Sequence, residues 1–170
     1  FLMISCDFYR EAIIMEIRNI AIIAHVDHGK TTLVDTLLKQ SETLKIHQEI
    51  NERAMDSNAI ERERGITILA KNTAINYKGV RINILDTPGL DDFSGGVISS
   101  LYAADCALLL INVQNGVEVG TEIHFRHAEK VNKPVIIAVN GLDHEKANFE
   151  KSVEMMKERL RNNMILIQYP

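Results

Sequence analysis

A lysine beside a glycine and ahead of two hydroxyl residues is a combination suited to holding phosphate. Residues 24–32, AHVDHGKTT, place it directly after the apolar run Ile20–Ala24 and before a helical pattern. In a strand–loop–helix turn of this kind, backbone N–H groups of the loop and of the helix start point at one anion, and the helix dipole adds to the attraction. Gly29 lets the backbone approach closely, Lys30 supplies a point charge for the β- and γ-phosphates, and the Thr31 hydroxyl is suited to ligating Mg²⁺. His25, Val26, Asp27 and His28 form the rest of the loop, and Thr32 follows on the helix. Ala24 stands where the general phosphate-loop pattern has its first glycine. His25 and His28 form a His-x-x-His spacing, but without a further Cys or His ligand nearby they read as polar loop sequence rather than as a metal pair.

The stretch AHVDHGKTTL resembles the first motif of the translational GTPases, which include elongation factors Tu and G, the lepA factor and TypA/BipA. RNIAIIAHVDHGKTTLVDTLLKQ followed by MDSNAIERERGITILAKNTAINYKG is most similar to TypA/BipA, so that likeness covers residues 15–89. Residues 90–163 resemble a divergent elongation factor G paralogue. The two likenesses meet at DTPG, a motif common to both. The resemblance implies GTP and GDP as ligands with Mg²⁺, hydrolysis of GTP to GDP and phosphate, the ribosome (its RNA and proteins) as partner, and a cytoplasmic location.

The same resemblance assigns further residues. RGITI, residues 64–68, matches the first switch, and Thr67 is implied as the threonine whose hydroxyl reaches Mg²⁺ and whose backbone senses the γ-phosphate. The charges before it, Glu61, Arg62, Glu63 and Arg64, fit a loop that orders around bound triphosphate. DTPG, residues 86–89, ends an alternating strand. Asp86 is placed to hold Mg²⁺ through water, which makes Thr31, Thr67 and Asp86 the implied metal set. The Gly89 N–H is placed to bond the γ-phosphate, and glycine there permits a peptide flip between states. The family continues DTPGH, with the histidine positioning the attacking water. Here that position is Leu90, which has no hydrogen-bonding side-chain atom. Thr67 and Gly89 then remain as the catalytic assignments. Losing a water-positioning group costs ~10²–10⁴ in rate, so slow hydrolysis with retained binding is expected.

NGLD, residues 140–143, follows another apolar strand, where the family has N-K-x-D. Asn140 is expected to bond the base and Asp143 to accept from the guanine N1 and N2 donors, which adenine lacks. Gly141 replaces the lysine whose stem covers the base, so weaker affinity with retained guanine preference is expected. The family's last base contact, a Ser-Ala loop, has no counterpart before Pro170.

These residues need a scaffold. Apolar runs alternating with helical patterns give an α/β fold, a P-loop G domain. It is expected to be a mostly parallel sheet with one antiparallel strand and helices on both faces, truncated at its C-terminal end. Leu33, Val34, Leu37 and Leu38 mark a first helix, and residues 41–65 a long polar loop. Thr67–Tyr77 and Val80–Leu85 suggest a hairpin turning at Lys78–Gly79. Val97, Ile98, Leu101 and Ala104 mark a helix, Cys106–Val113 a strand, 118–131 a helix and Val135–Val139 a strand. Phe149, Val153, Met156 and Leu160 form one face of a further helix, and Met164–Ile167 reads as a last strand. His124, His127 and His144 read as surface or packing residues.

The chain has 170 residues, 46% apolar and 25% charged, enough for one domain with its own core. A net charge of −4 argues against a free-standing DNA binder. Cys6 and Cys106 lie far apart and form no metal or redox spacing. The longest apolar run, Cys106–Ile111, is too short to span a membrane. Residues 1–14 are expected to be an upstream extension, 15–170 the GTP-binding domain, and the chain a monomer. The competing readings are a GTP-dependent binding switch that does not hydrolyse, and an inactive truncated or chimeric fragment.

Overall fold

The computed structural model describes residues 16–41 and 67–170. The readings of residues 1–14, of most of the long polar loop and of Glu61–Ile66 fall outside the described residues. Strand β1, Glu16–Ala24, runs from exposed to fully buried. Its last four residues, Ala-Ile-Ile-Ala, have an environment on both faces that suits a continuous apolar run. β1 lies at the centre of a five-stranded sheet of order β2-β3-β1-β4-β5, with β2 Lys71–Tyr77, β3 Val80–Asp86, β4 Cys106–Asn112 and β5 Val135–Asn140. It pairs in parallel with both β3 and β4, and β4 pairs in parallel with β5. β2 alone is antiparallel, returning from β3. Lys78 and Gly79 between them both have positive φ, 48° and 82°. Such a pair matches the twist of a two-residue hairpin.

Helices cover both faces. α1, Lys30–Gln40, packs Val34 and Leu38 with Ile22, Ile75 and Ile84. On the other face lie α2, Ser94–Ala103, α3, Val119–Lys130, and α4, Phe149–Arg159. They bury Val97, Leu101, Phe125, Ala128 and Met156 against Ala21, Ile23, Leu109 and Ile111. Each strand thus sends alternate residues to separate cores. α3 starts on a reciprocal cap in which the Glu118 side chain takes a backbone N–H and Thr121 Oγ1 takes the Glu118 N–H. α4 starts on Asn148, whose side chain accepts from the Lys151 N–H at 2.9 Å. The expected mixed sheet, with one antiparallel strand and helices on both sides, is the one observed.

Two elements differ from the expectation. The first hairpin arm begins at Lys71 rather than Thr67, because the Thr67 side chain turns inward to Lys30 and leaves the ladder. Met164–Ile167 forms no strand: residues 162–170 carry no regular structure, and Ile165 and Ile167 are more than four-fifths exposed. The tail is held elsewhere, with the Tyr169 ring edge-on to Phe149 at 5.3 Å and its hydroxyl bonded to Glu150. That anchorage at the start of α4 draws the apolar run away from strand pairing.

The two-core arrangement makes a specific demand. Leu109 is fully buried under the three-helix face, whereas Leu108, its neighbour on β4, is only partly buried on the α1 face. Leu109→Ala should cost about 2–5 kcal/mol, and Leu108→Ala less than half as much, read from urea unfolding midpoints. Equal losses would contradict the assignment of faces.

Candidate functional site

The carboxyl ends of β1, β3 and β5 meet on one rim, where an open α/β sheet leaves room for a ligand. β1 delivers the loop His25–Gly29, and α1 begins at Lys30. The loop turns through two left-handed residues, Asp27 at φ 62° and Gly29 at φ 88°. At Gly29 the conformation favours glycine, and space demands it: an added Cβ would lie 2.3 Å from Asn140 Nδ2. That amide crosses from the end of β5 to donate to the His28 carbonyl at 3.1 Å. Asn140 therefore braces the loop with its nitrogen, a role the sequence reading did not give it. Val26 and Thr31 are half-buried, while Asp27 and Thr32 are exposed.

Lys30 is 7% exposed and Asp86 wholly buried. Lys30 Nζ sits 2.5 Å from Asp86 Oδ1 and 3.3 Å from Thr67 Oγ1. Two residues far from it in sequence, Thr67 and Asp86, thus converge on the Lys30 nitrogen. The Thr87 hydroxyl donates to the Ile22 carbonyl at 2.7 Å and fixes the end of β3 against β1. Gly89 is buried, and a Cβ there would meet Ala24 O at 3.2 Å and Val26 N at 3.3 Å. The two backbones touch, so only glycine fits without displacement. Leu90 follows, half-buried, and leads into a short 3₁₀ turn at Asp91–Phe93. Asp143 lies exposed on the turn after β5, with Gly141 at φ 78° before it. Thus Gly29, Lys30, Thr67, Asp86, Gly89 and Asn140 are drawn together, and Asp143 stands at the rim.

The histidines correct the sequence reading. His28 is not merely polar loop: it is 1% exposed, with Nδ1 3.2 Å from the Leu110 carbonyl and Nε2 2.7 Å from Glu118 Oε2. His25 Nε2 lies 4.0 Å from the same carboxylate. The His25 ring also packs on Gly120, where an added Cβ would fall 2.2 Å from Nδ1. Among the described residues there is no group of three His, Cys, Asp or Glu that could hold a metal ion. Burial works against the Glu118 charge, but hydrogen bonds from His28 and Asn115 and the nearby imidazoles outweigh it and hold the carboxyl below its usual range. Glu118 was missed because its sequence neighbourhood shows only a helix start. His124 is also fully buried, with Nε2 3.4 Å from the Gly89 carbonyl. Its place on the apolar stripe with Thr121, Phe125 and Ala128 was the available signal.

The elongation factor Tu GTP binding domain model matches residues 15–168. The chain belongs to that family. The domain is 51% identical over 139 residues to the large ribosomal subunit assembly factor BipA of Bacillus subtilis, covering 82% of this chain and 23% of the relative. It is 48% identical over 134 residues to a chloroplastic TypA-like protein of Arabidopsis thaliana, covering 79% of this chain and 20% of that one. A crystal structure of a Thermus thermophilus protein superposes with a TM-score of 0.79 at 29% identity, covering 86% of this chain and 22% of that one. The chain therefore spans less than a quarter of the length of these relatives. A match of 139 residues is longer than the whole stretch up to Gly89, so the likeness to BipA continues past DTPG into the second half.

The depressed Glu118 carboxyl carries a pH signature. Its stabilising contribution is complete above the ordinary glutamate range, about pH 4.3, and is lost as the pH falls through the lower folded value. Between about pH 6 and pH 3, the unfolding temperature of the native chain should therefore fall more steeply than that of Glu118→Gln. Parallel curves would show that the His28–Glu118 contact contributes nothing.

Proposed function

We propose that this domain binds guanine nucleotide at the rim of the sheet and hydrolyses GTP slowly to GDP and phosphate. The observation that carries the reading is the convergence of Lys30, Thr67 and Asp86 beside a glycine-bearing loop at a helix start. The loop N–H groups from His25 to Thr32 cradle the phosphates, and Lys30 turns its charge from Asp86 towards the β- and γ-phosphates. Thr31, Thr67 and, through water, Asp86 form the oxygen donor set for Mg²⁺. All three are hard oxygen ligands of the kind that ion takes. Mg²⁺ bound there supplies neutralisation of the phosphate charge. The Gly89 N–H faces the γ-phosphate. Asn140 keeps the loop in place through His28 and presents its remaining oxygen towards the base. Asp143 selects guanine by accepting from N1 and N2.

The names of the BipA relatives, large ribosomal subunit assembly factors, support the ribosome as the partner of the complete protein, in the cytoplasm or an organelle. No helix among the described residues is long and apolar enough to cross a membrane. The family match starts at residue 15, which supports reading residues 1–14 as an extension outside the domain.

Leu90 favours a second reading, a switch that binds GTP without hydrolysing it, because its side chain offers no atom to orient water. Gly141 has a similar consequence for affinity. Phosphate release from bound GTP in a single turnover separates the readings. Leu90→His should raise the rate by ~10² or more. Equal measurable rates in the two proteins would refute the impairment, and tight GTP binding with no release from either would leave the switch.

A further inference from the structure

We propose that His124 is a positioning residue: it holds the Gly89 carbonyl and so sets how strongly the domain prefers GTP to GDP. The inference rests on the nucleotide reading above and adds to it a residue from a different element.

Gly89 lies between two surfaces. On one side it abuts the phosphate loop backbone at Ala24 and Val26. On the other its carbonyl oxygen faces His124 Nε2 at 3.4 Å. His124 is on the second turn of α3, and the start of α3 is itself fixed to the phosphate loop at two points. Glu118 Oε2 meets His28 Nε2 at 2.7 Å, and Gly120 receives the His25 ring. The loop, the α3 start and Gly89 therefore form a closed circuit, and His124 is the link that returns to the switch. A Leu or Phe would suit the apolar stripe beside Phe125 and Ala128 at lower desolvation cost. The imidazole brings to that stripe a bond to the Gly89 carbonyl that no apolar side chain could make.

The arrangement with Thr67 on Lys30 and Gly89 against the loop gathers the phosphate-sensing residues. Turning the Gly89 backbone to another orientation breaks the His124 bond. That bond therefore favours the gathered arrangement, the one in which Gly89 N–H and Thr67 meet a γ-phosphate. A contact made in only one of two arrangements shifts the ratio of ligand affinities by its own free energy. At 3.4 Å the contact is longer than the usual N–H···O range of about 2.7–3.2 Å, so a shift of about 3-fold, and at most about 10-fold, is expected.

The test uses the whole chain, with His124→Leu removing the donor while keeping bulk and His124→Gln retaining an N–H donor. Each is titrated with a fluorescent GDP and with a non-hydrolysable GTP analogue. His124→Leu should lower the GTP-to-GDP affinity ratio about 3- to 10-fold, while His124→Gln stays within about twofold of the native chain. A ratio unchanged in His124→Leu overturns the proposal, since a packing role alone would move both affinities together. The imidazole ¹⁵N spectrum of the unmodified chain gives a second measurement that survives a variant failing to fold. A carbonyl only accepts, so the proton must reside on Nε2, and an unprotonated Nε2 overturns the proposal. Absence of saturable guanine binding by the native chain would instead overturn the nucleotide reading, with the nitrogen spectrum still judging the His124 contact.

Discussion

A lysine and an aspartate buried together are the constraint around which the rim of the sheet is organised. Neither Lys30 nor Asp86 could be withdrawn from water alone at tolerable cost. At 2.5 Å each supplies the other's counter-charge. The pair fixes where α1 begins relative to where β3 ends, and β1 lies between them as the strand to which both are attached. The register that sets Ile22 beside Asp86 puts the end of β3 level with the loop, and the Thr87 hydroxyl locks it there. Thr67, the first described residue after the long loop, is drawn to the same nitrogen. A buried ion pair is weak grounds for stability in itself, because well-packed apolar residues often do as well. A cationic nitrogen retained at a strand–helix turn, where backbone donors also point, is better explained by an anionic ligand.

The second organising feature is the start of α3. Its cap residue Glu118 serves twice, taking backbone N–H groups of its own helix and the His28 imidazole of the phosphate loop. Gly120 is small because the His25 ring occupies the space a side chain would need. On the far side Asn140 holds the same loop through the His28 carbonyl. The loop is thus supported from β5 and from α3, with both supports meeting at His28. For the proposed nucleotide site, such contacts would hold the loop donors in place before a ligand arrives.

Much of this was legible in the residues. The second half of β1, Ile20–Ala24, and β4 are near-continuous apolar runs, as strands buried on both faces must be, and the spacing Phe149, Val153, Met156, Leu160 marked α4 through its single buried stripe. That Gly29 and Lys30 would stand at a strand–loop–helix turn and Asp86 at the end of a strand was readable from the spacing of the apolar runs around them. The partners of the buried polar side chains were not legible. Nothing in the sequence near His28 or His124 says that a carboxylate or a carbonyl from a distant segment will meet it. Asn140 falls at the end of an apolar strand as its sequence context implies, but the engagement of its nitrogen with the loop depends on the end of β5 lying beside His28. Met164–Ile167 misled because an apolar run becomes a strand only where it meets an edge: β5 ends the described sheet, but the tail lies elsewhere, with Tyr169 on Phe149 and Glu150.

If these contacts assemble a site for guanine nucleotide, competition between bases will show it. A fluorescent GTP analogue titrated into the whole chain with Mg²⁺ should bind saturably. Unlabelled GDP or GTP should displace it, and ATP should require at least about tenfold higher concentration, since adenine lacks the N1–H and N2 amino donors that Asp143 would accept from. Equal displacement by ATP, or no saturable binding, would contradict the account.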